Sequence, residues 1–193
     1  DVEARGGLGT ISIAPFTIDA AIADLTLDTF GDQRFAGRLT LQNGLVTSGR
    51  DIDFDGDVAQ SGAPDAGLVV ETNGRVRFAG NVGTATDRLA RLRIQFDGDS
   101  GDGKDAQTPS VEFGRRTDQD GDGVEETPVA SNQTVYTRDE IEILALRENA
   151  DGTALVPGRK RPANFATIAK ALGDLTFDSL AGSFQTSAGE KIA

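Results

Sequence analysis

Asp118-Gln-Asp120-Gly-Asp122-Gly123 spaces three carboxylates at alternate positions and ends on glycine. Oxygen ligands in that order, with a sharp turn at the sixth position, suit a hard cation such as Ca²⁺. Glu125 and Glu126 follow and add carboxylates, so Asp118, Asp120, Asp122 and Glu126 form the candidate metal set. The twelfth position is Val129, which cannot ligate, so the stretch departs from an EF-hand loop. The alternative is a solvated acidic turn.

Two other acidic stretches invite the same chemistry. Asp51-Ile-Asp53-Phe-Asp55-Gly56 also matches D-x-D-x-D-G. A gapless alignment at an offset of 24 residues places Arg75, Arg77 and Ala79 at the three Asp positions, while Ile52/Val76 and Phe54/Phe78 stay apolar. Asp51–Gly56 therefore reads as the outer face of a strand, with Asp51 opposite Arg75 and Asp53 opposite Arg77. Asp97–Asp105 is a glycine-rich acidic loop, either solvated or a second cation site; it lacks the positive charge and helix opening of a phosphate cradle. No pair of carboxylates stands out as acid and base, and His, the commonest general base, is absent. The expectation is that the chain is not an enzyme. Arg159-Lys160-Arg161 reads as surface charge available to an acidic neighbour.

The elements that would hold these residues follow from the same offset. Asp51–Glu71 lies over Arg75–Gln95: Gly56 matches Gly80, Val58 matches Val82, and after nine unmatched positions Leu68 matches Leu92 and Val70 matches Ile94. Apolar positions persist and polar ones change, as between successive units of a repetitive β structure. A third F-x-G-x-Φ occurs in Phe35–Leu41 (FAGRLTL), with Phe35, Gly37 and Leu39, 19 residues before Phe54. Alternation continues in Ile11–Ile18, Leu25–Leu27, Gln133–Tyr136 and Ile141–Ile143, with Val111–Phe113 a candidate short strand. Phe165, Ile168 and Leu172 fall at helical spacing between Pro162 and Gly173, predicting one helix over 163–172. DLTLDT at Asp24–Thr29 and DLTFDS at Asp174–Ser179 are related by chance or mark a longer tandem array.

Composition agrees. The 193 residues include 24 Gly and no Cys, Met, Trp or His, with a single Tyr. That suits short strands and many turns. The net charge of −12 disfavours nucleic acid. Ten acidic and three basic residues between Asp97 and Glu126 supply −7 of it. No apolar run approaches a membrane span of about 18 residues.

Gly74–Ile94 (GRVRFAGNVGTATDRLARLRI), the first half of the same line at Gly49–Val58, and QTVY at Gln133–Tyr136 resemble the repeats of filamentous-haemagglutinin-like β-strand-repeat surface proteins of bacteria. The resemblance covers about half of the chain. It implies a right-handed parallel β-helix, export across the envelope, a role in adhesion or matrix, and no catalytic residues. The acidic loops and the helix depart from it.

The expected architecture is thus mainly β: a single elongated right-handed parallel β-helix (β-solenoid) over 1–193. Regular rungs span 10–96, an acidic loop insertion 97–130, and further rungs with the helix 131–193. An antiparallel β-sandwich is the alternative. The expected function is a secreted or cell-surface structural or adhesive segment, self-associating head-to-tail by β-edge stacking. A glycan-binding module or a carbohydrate-active enzyme is the alternative; scarce Trp and Tyr weigh against stacking on sugars.

Overall fold

The computed structural model describes residues 2–3, 11–13, 16–18, 25–29, 31–61, 65–97, 109–117, 127–129, 132–146, 169–181 and 183–186. The protein is mainly β and its sheets are mostly parallel. The strands are β1 (Val2–Glu3), β2 (Ile11–Ile13), β3 (Phe16–Ile18), β4 (Leu25–Asp28), β5 (Gln33–Phe35) and β6 (Leu39–Leu41). They continue with β7 (Leu45–Gly49), β8 (Ile52–Phe54), β9 (Val58–Gln60), β10 (Leu68–Thr72), β11 (Arg75–Phe78) and β12 (Leu92–Phe96). After β13 (Ser110–Phe113), β14 (Arg115–Thr117) and β15 (Thr127–Val129) come β16 (Gln133–Thr137), β17 (Glu140–Leu144), β18 (Ala169–Ala171), β19 (Leu175–Ser179) and β20 (Ser183–Thr186).

The first sheet runs β1-β4-β7-β10-β12-β17-β20 and the second β18-β13-β11-β8-β5-β2. A third face holds β3-β6-β9 and the pair β16-β19. Val82 joins these two groups by single parallel bridges to Val58 and Val135. The chain visits first sheet, second sheet and third face in turn, then returns to the first. Strands are short because Gly, Asp and Asn recur at the corners, where they permit turns.

Register carries like onto like. Leu25, Leu45, Leu68, Leu92 and Ile141 form one inward column of the first sheet. Ile52, Val76 and Val111 form one in the second, beside Phe35, Phe54, Phe78 and Phe113. The four rings stack at centroid distances of 4.8, 4.8 and 5.4 Å, and Phe177 from β19 closes the column edge-on at 5.7 Å. On the third face Leu39, Val58, Val82, Val135 and Phe177 follow one another. Parallel strands lie about 4.8 Å apart, so equivalent side chains touch directly. Fully burying each contributes roughly 1.5–3 kcal/mol.

The expected residue pairs of the 24-residue offset are strand partners here: Ile52 with Val76, Phe54 with Phe78, Val58 with Val82, Leu68 with Leu92, Val70 with Ile94. The sandwich alternative fails, because β14 with β15 is the one antiparallel pairing among the described strands. The helix over 163–172 is also corrected. Ala169–Ala171 is a strand, paired in parallel with Val111–Phe113, and the Leu172 N–H donates to the Phe113 carbonyl at 2.8 Å. Tertiary pairing satisfies that backbone, and alternation in Ala-Lys-Ala-Leu fits a strand as well as it fits a helix. Phe165 and Ile168 lie outside the described residues, and no helix occurs among the described ones. Asp24–Thr29 and Asp174–Ser179 do not occupy equivalent places: β4 belongs to the first sheet and β19 to the third face.

Candidate functional site

The outer side of the second sheet is a column of charges. Arg34, Asp53, Arg77 and Glu112 are successive register partners, and their signs alternate at every step. Arg34 Nε donates to Asp55 at 2.6 Å, and Arg77 Nη2 donates to the same carboxylate at 3.0 Å. Asp53 lies 3.3 Å from the guanidinium groups of both Arg75 and Arg77. Arg116 from β14 reaches Glu112 through two bonds, Nε at 2.6 Å and Nη2 at 2.5 Å. Arg77 is 5% exposed and needs its carboxylate partners because it is covered, whereas Arg34 and Arg75 remain exposed. Burial pushes the Asp53 carboxyl above the usual carboxylate range, against the pull of Arg77 and Arg75.

The expected pairing of Asp53 with Arg77 is found; that of Asp51 with Arg75 is replaced. Asp51 Oδ1 accepts from the Arg75 backbone N–H at 2.8 Å, while the Arg75 guanidinium reaches diagonally to Asp53. Long side chains readily reach the neighbour two positions along. The same staple recurs at other corners: Asp32 accepts from the Asp51 N–H, Asp57 from Asn81, Asn81 from Thr134, and Asn73 from Asp97. Each helps satisfy a corner amide, and the Asp97 N–H also reaches the Thr72 carbonyl at 3.3 Å. The staple accounts for Asp51, and the arginines account for Asp53 and Asp55.

The candidate cation ligands Asp118, Asp120, Asp122 and Glu126 lie outside the described residues, as do Asp99, Asp102, Asp105 and Arg159–Arg161. β14 and β15 pair antiparallel on either side of 118–126. Among the described residues no three Asp or Glu side chains converge where they could hold a metal ion.

Two of the clefts lined by described residues have room for a small molecule. One, of about 560 Å³, follows the corner between the first and second sheets and includes Asp28, Ser48, Arg50, Glu71 and Asp97. Ser48 Oγ donates to Asp28 at 2.6 Å, and Arg50 grips Asp32 through Nε at 2.8 Å and Nη2 at 2.7 Å. The Arg50 hydrogen bond holds the Asp32 carboxyl below its ordinary range. Behind this corner the buried Thr47 hydroxyl donates to Gln33 Oε1, and Gln33 Nε2 donates to the Ser48 carbonyl at 2.6 Å.

The other cleft, of about 400 Å³, lies where the third face narrows to Val82, among Gln60, Thr86, Asp87, Arg88, Arg138 and Leu180. Gly83 turns the chain out of the face at φ +74°, and a side chain there would strike the Tyr136 carbonyl. Thr84–Asp87 closes on itself: the Asp87 N–H donates to Thr84 Oγ1 at 2.8 Å and the Thr84 N–H to the Asp87 carbonyl at 3.1 Å. Arg88 then spans to β19, donating through Nη1 and Nη2 to the two Asp178 oxygens at 2.9 Å each. Its guanidinium lies 5.1 Å from the Tyr136 ring centroid. The Arg88 bond holds the Asp178 carboxyl below the usual range. Sequence reasoning missed this site. Its signal was the nine unmatched positions after Val58 and Val82, where the two copies stop agreeing.

The fold and these surfaces define a mainly β protein of mostly parallel sheets. No family model, curated protein or solved structure matches the chain.

Proposed function

We propose that the chain is a right-handed parallel β-helix and serves as a structural or adhesive segment of an extracellular bacterial surface or matrix filament. The cyclic order of first sheet, second sheet and third face supports the fold, and parallel crossovers are right-handed in nearly all proteins. The observation that carries the function is the way side chains are spent. Inward positions continue the apolar columns, and outward acids of the second sheet staple corners or pair with arginines. Such a surface specifies register between neighbours. Among the described strands β1 and β20 are the edges of the first sheet, and β-edge stacking of such ends builds filaments. The reading includes Ca²⁺ at Asp118, Asp120, Asp122 and Glu126, on the D-x-D-x-D-G spacing.

Electron microscopy of the purified chain, with and without Ca²⁺, tests this. Rods that lengthen end to end with concentration are the expected result. Compact particles of one size under both conditions would count against it.

A further inference from the structure

One asparagine amide on the third face takes no part in holding the fold. The described asparagines are Asn43, Asn73, Asn81 and Asn132. Asn73 Oδ1 accepts from the Asp97 N–H at 3.1 Å, Asn81 Oδ1 accepts from the Thr134 N–H at 2.9 Å, and Asn43 is engaged as well. Asn132, directly before β16, is exposed, and its side chain forms no hydrogen bond among the described residues. It is also the asparagine with a hydroxyl two residues on. Asn132-Gln133-Thr134 is the single N-x-S/T triplet in the chain, the acceptor pattern for N-linked sugars.

The fold turns the two recognised groups of that triplet outward and its middle residue inward. Gln133 is 5% exposed and Val135 1%, whereas Asn132 and Thr134 reach the surface. Extended backbone sets residues two apart on one face. Gln133 is the anchor. Its N–H donates to the Asp174 carbonyl at 2.8 Å, and its Nε2 donates to the carbonyls of Phe78 at 3.1 Å and Gly80 at 3.2 Å. The Thr134 hydroxyl forms no hydrogen bond among the described residues, and its register partner Thr176 is exposed. The amide and the hydroxyl that define an acceptor are thus the two groups here with no structural task.

We infer that Asn132 Nδ2 is the acceptor of an N-linked sugar. The co-reactant is a sugar activated by phosphate at its anomeric carbon. Nδ2 bonds to that carbon, the bond from carbon to the phosphate oxygen breaks with its electron pair leaving on the phosphate, and the amide gives up one proton to the transferase. An amide nitrogen shares its lone pair with the carbonyl and is a weak nucleophile, so a neighbouring group must help a transferase grip it. The Thr134 hydroxyl, two residues on, is placed for that. β16 lies between Val82 and β19, so the acceptor sits within the third face and leaves the edge strands of the first sheet clear. The inference goes beyond filament assembly. A chain that never forms rods would still present Asn132, and rods built from an unmodified chain would overturn the acceptor alone.

The test is peptide mapping by mass spectrometry of the whole chain isolated from the cells that make it. The peptide containing Asn132 is expected to carry sugar, retained on Asn132 after fragmentation, and the peptide containing Asn81 none. Asn132→Gln and Thr134→Val, made in the same cells, are each expected to lose the sugar completely, and Thr134→Ser to keep it. Circular dichroism checks that each variant folds; Asn132→Gln changes an exposed side chain and carries the test if Thr134→Val does not fold. An unmodified Asn132 in the isolated chain would overturn the inference. Sugar retained by folded Thr134→Val, or found on serine and threonine hydroxyls alone, would overturn it too.

Discussion

The second sheet and the third face are built from the same short strands, yet they treat polar groups in opposite ways. On the second sheet every step is a strand of three or four residues, and the register column Arg34–Asp53–Arg77–Glu112 alternates in sign. Even where Arg75 and Arg77 Nε lack an aligned acceptor, their guanidinium groups lie beside Asp53. On the third face one step is reduced to Val82 alone. Residues that would have continued the strand turn outward through Gly83, and a cleft opens. Arg88 must bridge to Asp178, 90 residues away, to hold the gap closed. The contrast teaches that on continuous strands each guanidinium finds its carboxylate on the adjacent strand, whereas at a missing strand it must reach to a distant one, as Arg88 does.

The largest test of that contrast is in the core. Phe78→Ala removes a ring stacked between Phe54 and Phe113 and should cost about 3–5 kcal/mol. Val82→Ala, in the equivalent column of the third face, removes fewer atoms from a single bridge and should cost roughly 2 kcal/mol or less. Urea denaturation at unchanged slope measures both. Equal losses would erase the mechanical difference between the two faces.

The charge column offers a sharper test. Asp53→Arg and Arg77→Asp should each cost roughly 1–3 kcal/mol, since each leaves covered charges mispaired. If Asp53 and Arg77 were an isolated pair, the double exchange would restore most of the loss. In an alternating column it should not. The new guanidinium at 53 would face Arg34, and the new carboxylate at 77 would face Glu112. Full rescue in the double variant would reduce the column to independent pairs.

How much of this was legible depended on periodicity. The apolar columns were readable because the 24-residue offset keeps Phe54 on Phe78 and Leu68 on Leu92. Phe113 was harder to place, because 35 residues separate it from Phe78 and the acidic stretch interrupts the count. The strand at Ala169–Ala171 was hidden because its pairing with Val111–Phe113 spans 58 residues, while the helical spacing of Phe165, Ile168 and Leu172 was local. The strand face read at Asp51–Asp55 is β8, Ile52–Phe54, yet its corner staple was not foreseen. A carboxylate accepting a backbone amide one circuit later leaves no mark in residue type at the partner, as Arg75 shows. Arg88 with Asp178 was invisible for the same reason of distance.

The finest distinction between the two regions is in their carboxylates. Asp178, at the narrowed third face, has its pKa lowered by Arg88. Its contribution to stability is present above the ordinary carboxylate value, about 3.9, and is lost as pH falls through the lower folded value. Asp53, on the second sheet, has its pKa raised by burial. Its ionised form is a cost above the raised folded value, and that cost is relieved as pH falls through it towards the ordinary value. Unfolding free energies of the wild type, Asp53→Asn and Asp178→Asn across the acid limb should therefore diverge. The advantage of the wild type over Asp178→Asn should shrink on acidification, and its standing against Asp53→Asn should improve. If both differences shrink together, the ion pairs of Asp53 with Arg77 and Arg75 outweigh its burial, and the second sheet holds its charges by attraction and not by enclosure.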